Sequence, residues 1–260
     1  MSFSKLEQSS VPQHNSVGVI VDTNDRRLLK EAKGYLSIVA NQPTEPKHIL
    51  YFGDLGVELR SAERPSKKGY RIDFNKIDRR VGSGNLSKKN ILPKAVGGTN
   101  NTIVDATAGL GFDAARMAMV GFNVIAIERS PVISIMLRDG LWRAGQIPEL
   151  SEKIGGRLSL VEGDSRCLLS NYCGVDVVYI DPMFPPKRKK SALPPGKIQT
   201  LQTIVGFENQ DESEQLFNLA MESAINRVVV KRPIHAPAFK ENHVAVHKGK
   251  LVRYEVYKPK

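Results

Sequence analysis

The rhythm of apolar and polar positions in this chain changes near residue 101. Before it, short apolar stretches at 17–21, 35–39, 48–52, 57–59 and 70–74 are separated by Asn, Pro and Gly, a pattern that predicts short strands in a small sheet-containing domain. After it, apolar stretches at 103–106, 123–127, 158–162, 175–180 and 227–231 read as strands, and the periodic segments 113–120, 132–144 and 212–226 read as helices between them. The stretches 243–247 and 251–258 flank Lys248-Gly249-Lys250 and predict a closing hairpin. Strands alternating with helices predict an α/β fold with a doubly wound, mostly parallel sheet and an antiparallel C-terminal hairpin. The expected division is a small N-terminal α/β domain at 1–77, a basic connecting segment at 78–100 carrying Gly82, Gly84, Gly97 and Gly98, and a catalytic domain at 101–260.

Composition narrows the class. With 260 residues and 41% apolar content the chain can bury a full core without metals or disulfides. Cys167 and Cys173 are its only cysteines, and His235, His243 and His247 are scattered, so no zinc set is expected. Residues 1–15 lack the pattern of a signal peptide and no apolar run reaches membrane-spanning length, so the expectation is a soluble, cytoplasmic protein. The net charge of +11 favours polyanions. Nine basic residues, Lys67, Lys68, Arg71, Lys76, Arg79, Arg80, Lys88, Lys89 and Lys94, face only Asp73 and Asp78, and Lys187, Arg188, Lys189 and Lys190 form a second cluster. Either cluster suits a solvated surface or a nucleic-acid backbone track.

Thr107-Ala108-Gly109-Leu110-Gly111 lies between a predicted strand and a predicted helix, where glycine permits a tight turn and close backbone approach to a ligand. Position 114 is Ala, so the third glycine of a dinucleotide fingerprint is missing, and Asp105 and Asp113 suit an ammonium group better than a pyrophosphate. Glu128 ends the next strand, where a carboxylate can accept from ribose hydroxyls, with Arg129 beside it. Asp164 and Ser165 follow the third strand, either meeting an adenine edge or capping a helix. Together these positions outline an adenosine-shaped crevice with an acidic end, which favours S-adenosylmethionine over a nicotinamide dinucleotide.

Asp181, Pro182, Met183, Phe184 and Pro185 follow the most apolar strand. Two prolines stop it from continuing, so Asp181 and nearby carbonyls stand at the sheet edge, where they can hold an exocyclic amine beside a methyl donor, with Phe184 able to stack on a base. The basic run at 187–190 starts just beyond, and Lys231 and Arg232 end another strand, so both are expected on an RNA-facing rim. An amine-orienting loop does not identify the base. Methylation of adenine or cytosine in RNA or DNA, and a non-enzymatic RNA-binding module, stay open on these residues alone.

Residues 85–98, the run from Val104 to Gly111, Glu128-Arg129-Ser130-Pro131, Tyr179-Ile180-Asp181-Pro182-Met183-Phe184-Pro185 and Val230-Lys231-Arg232-Pro233 resemble the bacterial ribosomal small-subunit methyltransferase J family. The resemblance runs from about Asp54 to the C-terminus and implies a class I methyltransferase fold. It also implies methylation of a guanosine N2 amine in 16S ribosomal RNA, free or in the small subunit. Cofactor contacts follow at Phe112 and Asp113, Glu128 and Arg129, Asp164 and Ser165, and Asp181, added to Asp105, Gly109 and Gly111 from the loop itself. Relatives carry Arg at position 112, a Ser pair at 164 and 165, and a glycine-arginine-glycine where Gly84-Asn85-Leu86 stands, a loss for which Lys88 or Lys89 is positioned to substitute.

Overall fold

The computed structural model describes residues 17–38, 45–79, 86–182 and 210–259. The chain enters through β1 (Val17–Asp22), α1 (Arg26–Ile38), β2 (His48–Gly53) and β3 (Gly56–Ser61). These strands form a small sheet in the order β1-β2-β3, with β1 parallel and β3 antiparallel to β2. Two sequence expectations need correction here. The 35–39 stretch is not a strand, because its residues 35–38 are the end of α1, whose buried Leu28, Ala32 and Tyr35 follow helical spacing. The 70–74 stretch contributes only a single bridge from Tyr70 to Leu59, then a 3-10 turn at Phe74–Lys76 capped by the Asp73 carboxylate.

Part of the basic segment is structured as well. α2 (Ile91–Val96) buries Leu92, Pro93, Ala95 and Val96 against the far strands of the second sheet. That sheet is built from β4 (Thr102–Asp105), β5 (Asn123–Glu128), β6 (Leu158–Glu162), β7 (Val175–Ile180), β8 (Ala224–Pro233), β9 (Ala245–Lys248) and β10 (Val252–Tyr257). Between them run α3 (Phe112–Val120), α4 (Pro131–Gly145), α5 (Pro148–Ile154), α6 (Ser165–Leu168) and α7 (Gln210–Ser223). Of these, α5 was not legible in the pattern of the sequence, and α6 was legible only as the helix that Asp164 could cap.

The strand order is β6-β5-β4-β7-β8-β10-β9, and β10 runs antiparallel to both of its neighbours. The chain moves outward from β4 to β6 and then returns to β7 on the other side of β4. Neighbouring strands therefore diverge at their carboxyl ends and leave a crevice there, as open α/β sheets do at a reversal of strand order. Alternation divides the strands between two faces. Ile103, Val177, Tyr179, Val229 and Tyr254 join one buried cluster, and Val104, Val178, Ile180, Val228 and Val230 join the other. This is the doubly wound, mostly parallel sheet with an antiparallel C-terminal hairpin, beside a small N-terminal sheet, that the chain's rhythm predicts.

The small sheet is fastened to α4 by one carboxylate. Asp139, 1% exposed, accepts from Arg27 Nη2 at 3.0 Å, Arg143 Nε at 2.8 Å and the Val57 backbone N–H at 3.0 Å. Gly56 permits this approach, because its φ of +110° suits glycine and a Cβ would stand 2.5 Å from Asp139 Oδ2. Among the described residues, no helix is long and apolar enough to cross a membrane. Asp139→Ala removes the acceptor that Arg27 and Arg143 share and leaves the Val57 N–H unpaired; a loss of about 3 kcal/mol is expected in chemical denaturation, and a midpoint like the wild type would contradict this anchor.

Candidate active site

The crevice begins with the turn after β4. Ala108 N–H donates to Ile127 O at 3.0 Å, and Gly109 N–H donates to Glu128 Oε2 at 2.7 Å, so the turn is stitched to the end of β5. Gly109 takes φ +53°, and a Cβ there would meet only Thr107 O, at 3.9 Å. At Gly111, φ is +73° and a Cβ would collide with Leu137 at 2.5 Å, so this glycine allows α3 to start against α4. Glu128 is 4% exposed, and its Oε1 accepts from the Ser130 N–H at 2.7 Å. One carboxylate thus fixes both the glycine turn and the entry to α4.

Two cavities meet at this turn. Ile127, Glu128, Arg129, Asp164 and Ser165 line the first, and Asp105, Leu110, Phe112, Asp113, Tyr179 and Lys231 line the second; Thr107, Gly109 and Asp181 line both. In the first, Asp164 caps α6 and grips the Arg166 guanidinium at 2.6 Å, and Arg166 reaches Glu212 at 3.0 Å. The capping option open for Asp164 is therefore the one formed, and Arg166 already engages both of its carboxylate oxygens. Ser165 is buried, and its hydroxyl donates to Ala106 O at 2.6 Å. Arg129 lies 3.9 Å from Glu212.

Strand alternation assembles the second cavity. In the parallel register Ile180 faces Val230, so the next residues, Asp181 and Lys231, emerge side by side, and Tyr254 pairs with Lys231 from β10. Lys231 Nζ lies 2.9 Å from Asp181 Oδ2 and 2.7 Å from Asp113 Oδ2, while Asp113 also takes Arg116 at 2.9 Å and the Tyr179 hydroxyl at 2.9 Å. Thr107 Oγ1 accepts from the Asp181 N–H at 2.6 Å. Phe112 lines the cavity and packs edge-on against Phe74, with ring centres 5.5 Å apart.

Charge in this cluster is unevenly shared. Burial lifts the Asp105 carboxyl well above the ordinary carboxylate range against the pull of the Thr107 N–H, with the charges of Asp113 and Asp181 adding to the lift. Burial also works on Asp113, but the Lys231 ammonium, helped by Arg116 and Tyr179, holds it below its usual value. Lost solvation raises the carboxyl of Asp181, whose side chain is 41% exposed, and Lys231 opposes that rise. Burial alone would lower Lys231, yet Asp181 and Asp113 together push it upward, so it stays charged. Asp113 is therefore the carboxylate held ionised, in ion pairs with Lys231 and Arg116, while burial favours the neutral form of Asp105.

The rim expectation for Lys231 and Arg232 is corrected by this geometry. Lys231 points into the cleft, and Arg232 is 8% exposed, donating to Pro237 O and lying over the Phe239 ring. Lys88 and Lys89 are exposed. Met183, Phe184, Lys187, Arg188, Lys189 and Lys190 lie outside the described residues, as does Asn85; Pro182 is buried. Thr107, Tyr179, Arg116, Arg166 and Glu212 are site residues that sequence reasoning missed. Strand register could have found Lys231, since an equivalent position beside Asp181 follows from counting past two adjacent apolar strands. No group of three or more metal-ligating side chains is present among the described residues.

A family model described as "Putative SAM-dependent methyltransferase" matches residues 36–259. The ribosomal RNA small subunit methyltransferase J of Aeromonas salmonicida is 38% identical over 225 residues, covering 84% of this chain and 88% of that protein. Its namesake from Coxiella burnetii is 37% identical over 230 residues, covering 85% and 87%. This chain belongs to the methyltransferase J family. The crystal structure of a SAM-dependent methyltransferase from Neisseria gonorrhoeae aligns over 93% of this chain and 96% of its own with a TM-score of 0.69 and 28% identity. Family and fold are thus those of S-adenosylmethionine-dependent methyltransferases, which sets aside the nicotinamide and non-enzymatic readings.

The cleft fits that cofactor on its own chemistry. The open face of Gly109 admits close approach, the Glu128 carboxylate stands on one side of it, and the Asp113 carboxylate, held ionised, stands on the other. Asp105→Asn supplies a test of the charge assignment. A carboxyl whose value is raised on folding contributes stability only at low pH and loses it as pH rises through its unfolded value, about 3.9. The amide removes that cost, so Asp105→Asn should unfold at higher denaturant than the wild type at pH 7, the two converging near pH 3. A variant less stable at pH 7 than at pH 3, relative to the wild type, would contradict a neutral Asp105.

Proposed function

We propose that this methyltransferase modifies the exocyclic N2 amine of a guanosine in 16S ribosomal RNA, in the cytoplasm, on the small subunit or an assembly intermediate of it. The observation that carries the reading is the position of Asp181, which with Thr107 and Gly109 forms the junction of the two cavities. The named activity of the Aeromonas and Coxiella relatives supports ribosomal RNA as the substrate.

S-adenosylmethionine, when bound, supplies an activated methyl group on a sulfonium. Glu128 would hold its ribose hydroxyls, the Gly109 turn would let it approach the backbone, and Asp113 would face its ammonium group. The residues around the acceptor then have separate tasks. Thr107 fixes the backbone of Asp181, and Lys231 fixes one of its carboxylate oxygens. The other oxygen can accept an N–H of the substrate amine and direct the nitrogen lone pair toward the methyl carbon. Methylation of that amine would require it to give up a proton. A carboxylate lifted above its ordinary value by burial is suited to receive it, directly or through water. Exposed Lys88 and Lys89 would serve as backbone contacts, and the composition of the basic run at 187–190 suits the same task.

Incubation with methyl-labelled cofactor and undermethylated small subunits, followed by digestion to nucleosides, should yield labelled N2-methylguanosine. Labelled methyladenosine or methylcytidine would overturn the base assignment. Asp181→Ala should slow methyl transfer about 100-fold or more with RNA affinity within about twofold of the wild type. A parallel loss of affinity would mean that Asp181 serves RNA binding instead.

A further inference from the structure

The amino ends of the strands, opposite the active-site crevice, carry a second cleft of about 610 Å³. Lys94, Arg227, His247 and Lys258 line it, with Thr99, Asn100 and Asn226 as neutral polar groups and Val244 as an exposed apolar wall. Lys94 and Lys258 are exposed, and among the described residues neither they nor Arg227 form an ion pair with a carboxylate. Arg227 is held in place by neutral groups instead: its Nη1 donates to Ala95 O at 3.0 Å, at the end of α2, where the carbonyls lack helical partners. The carboxylate at this edge, Asp176, is already committed. Its Oδ2 accepts from the Asn101 and Thr102 N–H groups and the Thr102 hydroxyl, and its Oδ1 accepts from Asn226. Burial and the charges of Arg227 and Lys94 together keep His247 below its usual value, as a locally positive field requires.

A concave surface with cations from three separate elements, α2, β8 and the end of β10, and no ion pair to a carboxylate among the described residues, suits an anionic occupant. We infer that this cleft binds backbone phosphates of the RNA substrate at a distance from the target nucleotide, a second anchoring site on the opposite edge of the sheet. The inference rests on the RNA reading above and extends it, since an RNA reaching both edges would be oriented by the protein as well as held. The methylated base is selected in one cleft, and the register of the strand is fixed by phosphates in the other.

The test compares wild-type protein with Lys94→Ala/Lys258→Ala, two exposed positions whose truncation leaves the core intact, on purified deproteinised 16S ribosomal RNA across a range of salt concentrations. The double variant should bind at least about fivefold more weakly at low salt, with a log affinity against log salt slope shallower by about 1.5, the effect of two lost phosphate contacts at about 0.7–0.9 each. Cofactor affinity measured by calorimetry should be unchanged, which separates a lost anchor from a lost fold. An unchanged slope in a variant of intact cofactor affinity would overturn the second site while leaving the RNA reading in place. Absence of RNA binding by the wild type itself would overturn both. Loss of binding to assembled subunits with full binding to naked RNA would assign the cleft to an acidic ribosomal protein surface and overturn the phosphate assignment.

Discussion

One ammonium group organises the crevice. Lys231 stands between Asp113 and Asp181, at 2.7 and 2.9 Å, where β7, β8 and the first turn of α3 converge. With Asp105 included, three carboxyl groups share this small space, and three like charges cannot all ionise there without a counter-ion. The structure meets that constraint in two ways, with burial favouring the neutral form of Asp105 and Lys231 charged against the other two. The arrangement also unites the elements that bear those residues. Breaking it removes the cation that Asp113 and Asp181 share, which is why the placement of the acceptor loop, the start of α3 and the edge of β8 depend on the same contact.

Glu128 plays the corresponding part on the other side. Its two oxygens hold the Gly109 and Ser130 N–H groups, so the glycine turn and the entry to α4 are positioned before any ligand arrives. Preorganised donors and acceptors of this kind avoid the cost of ordering a loop during binding. Beyond it, Asp164, Arg166 and Glu212 form a charged wall that joins the α6 cap to the first turn of α7. The two halves of the cleft therefore differ in character: one is closed by a chain of ion pairs between side chains of distant segments, the other by a lysine rising from the sheet itself.

The parallel sheet was legible because strands covered on both faces must be almost continuously apolar, as Val177 to Ile180 and Val228 to Val230 are. The glycine turn and the carboxylates at successive strand ends were legible for the same reason, since they punctuate those strands. Tyr35 to Ile38 misled because their local β-forming character outweighed the helical spacing of Leu28, Ala32 and Tyr35, which becomes visible only over the longer window. Lys231 misled because a basic residue beside Arg232 reads as surface charge. Its true setting depends on register with β7, a pairing between residues 50 positions apart that no local pattern contains. Asp164 was ambiguous in the sequence because a capping carboxylate and a ligand carboxylate occupy the same place after a strand.

The pH dependence of methyl transfer in Lys231→Gln and Lys231→Arg tests the central claim most directly. If Lys231 holds the carboxylates of the crevice ionised, the glutamine variant should need a pH higher by about one unit or more to reach its half-maximal rate on the acid side, with the arginine variant staying close to the wild type. An acid limb that is the same in all three proteins would contradict the account.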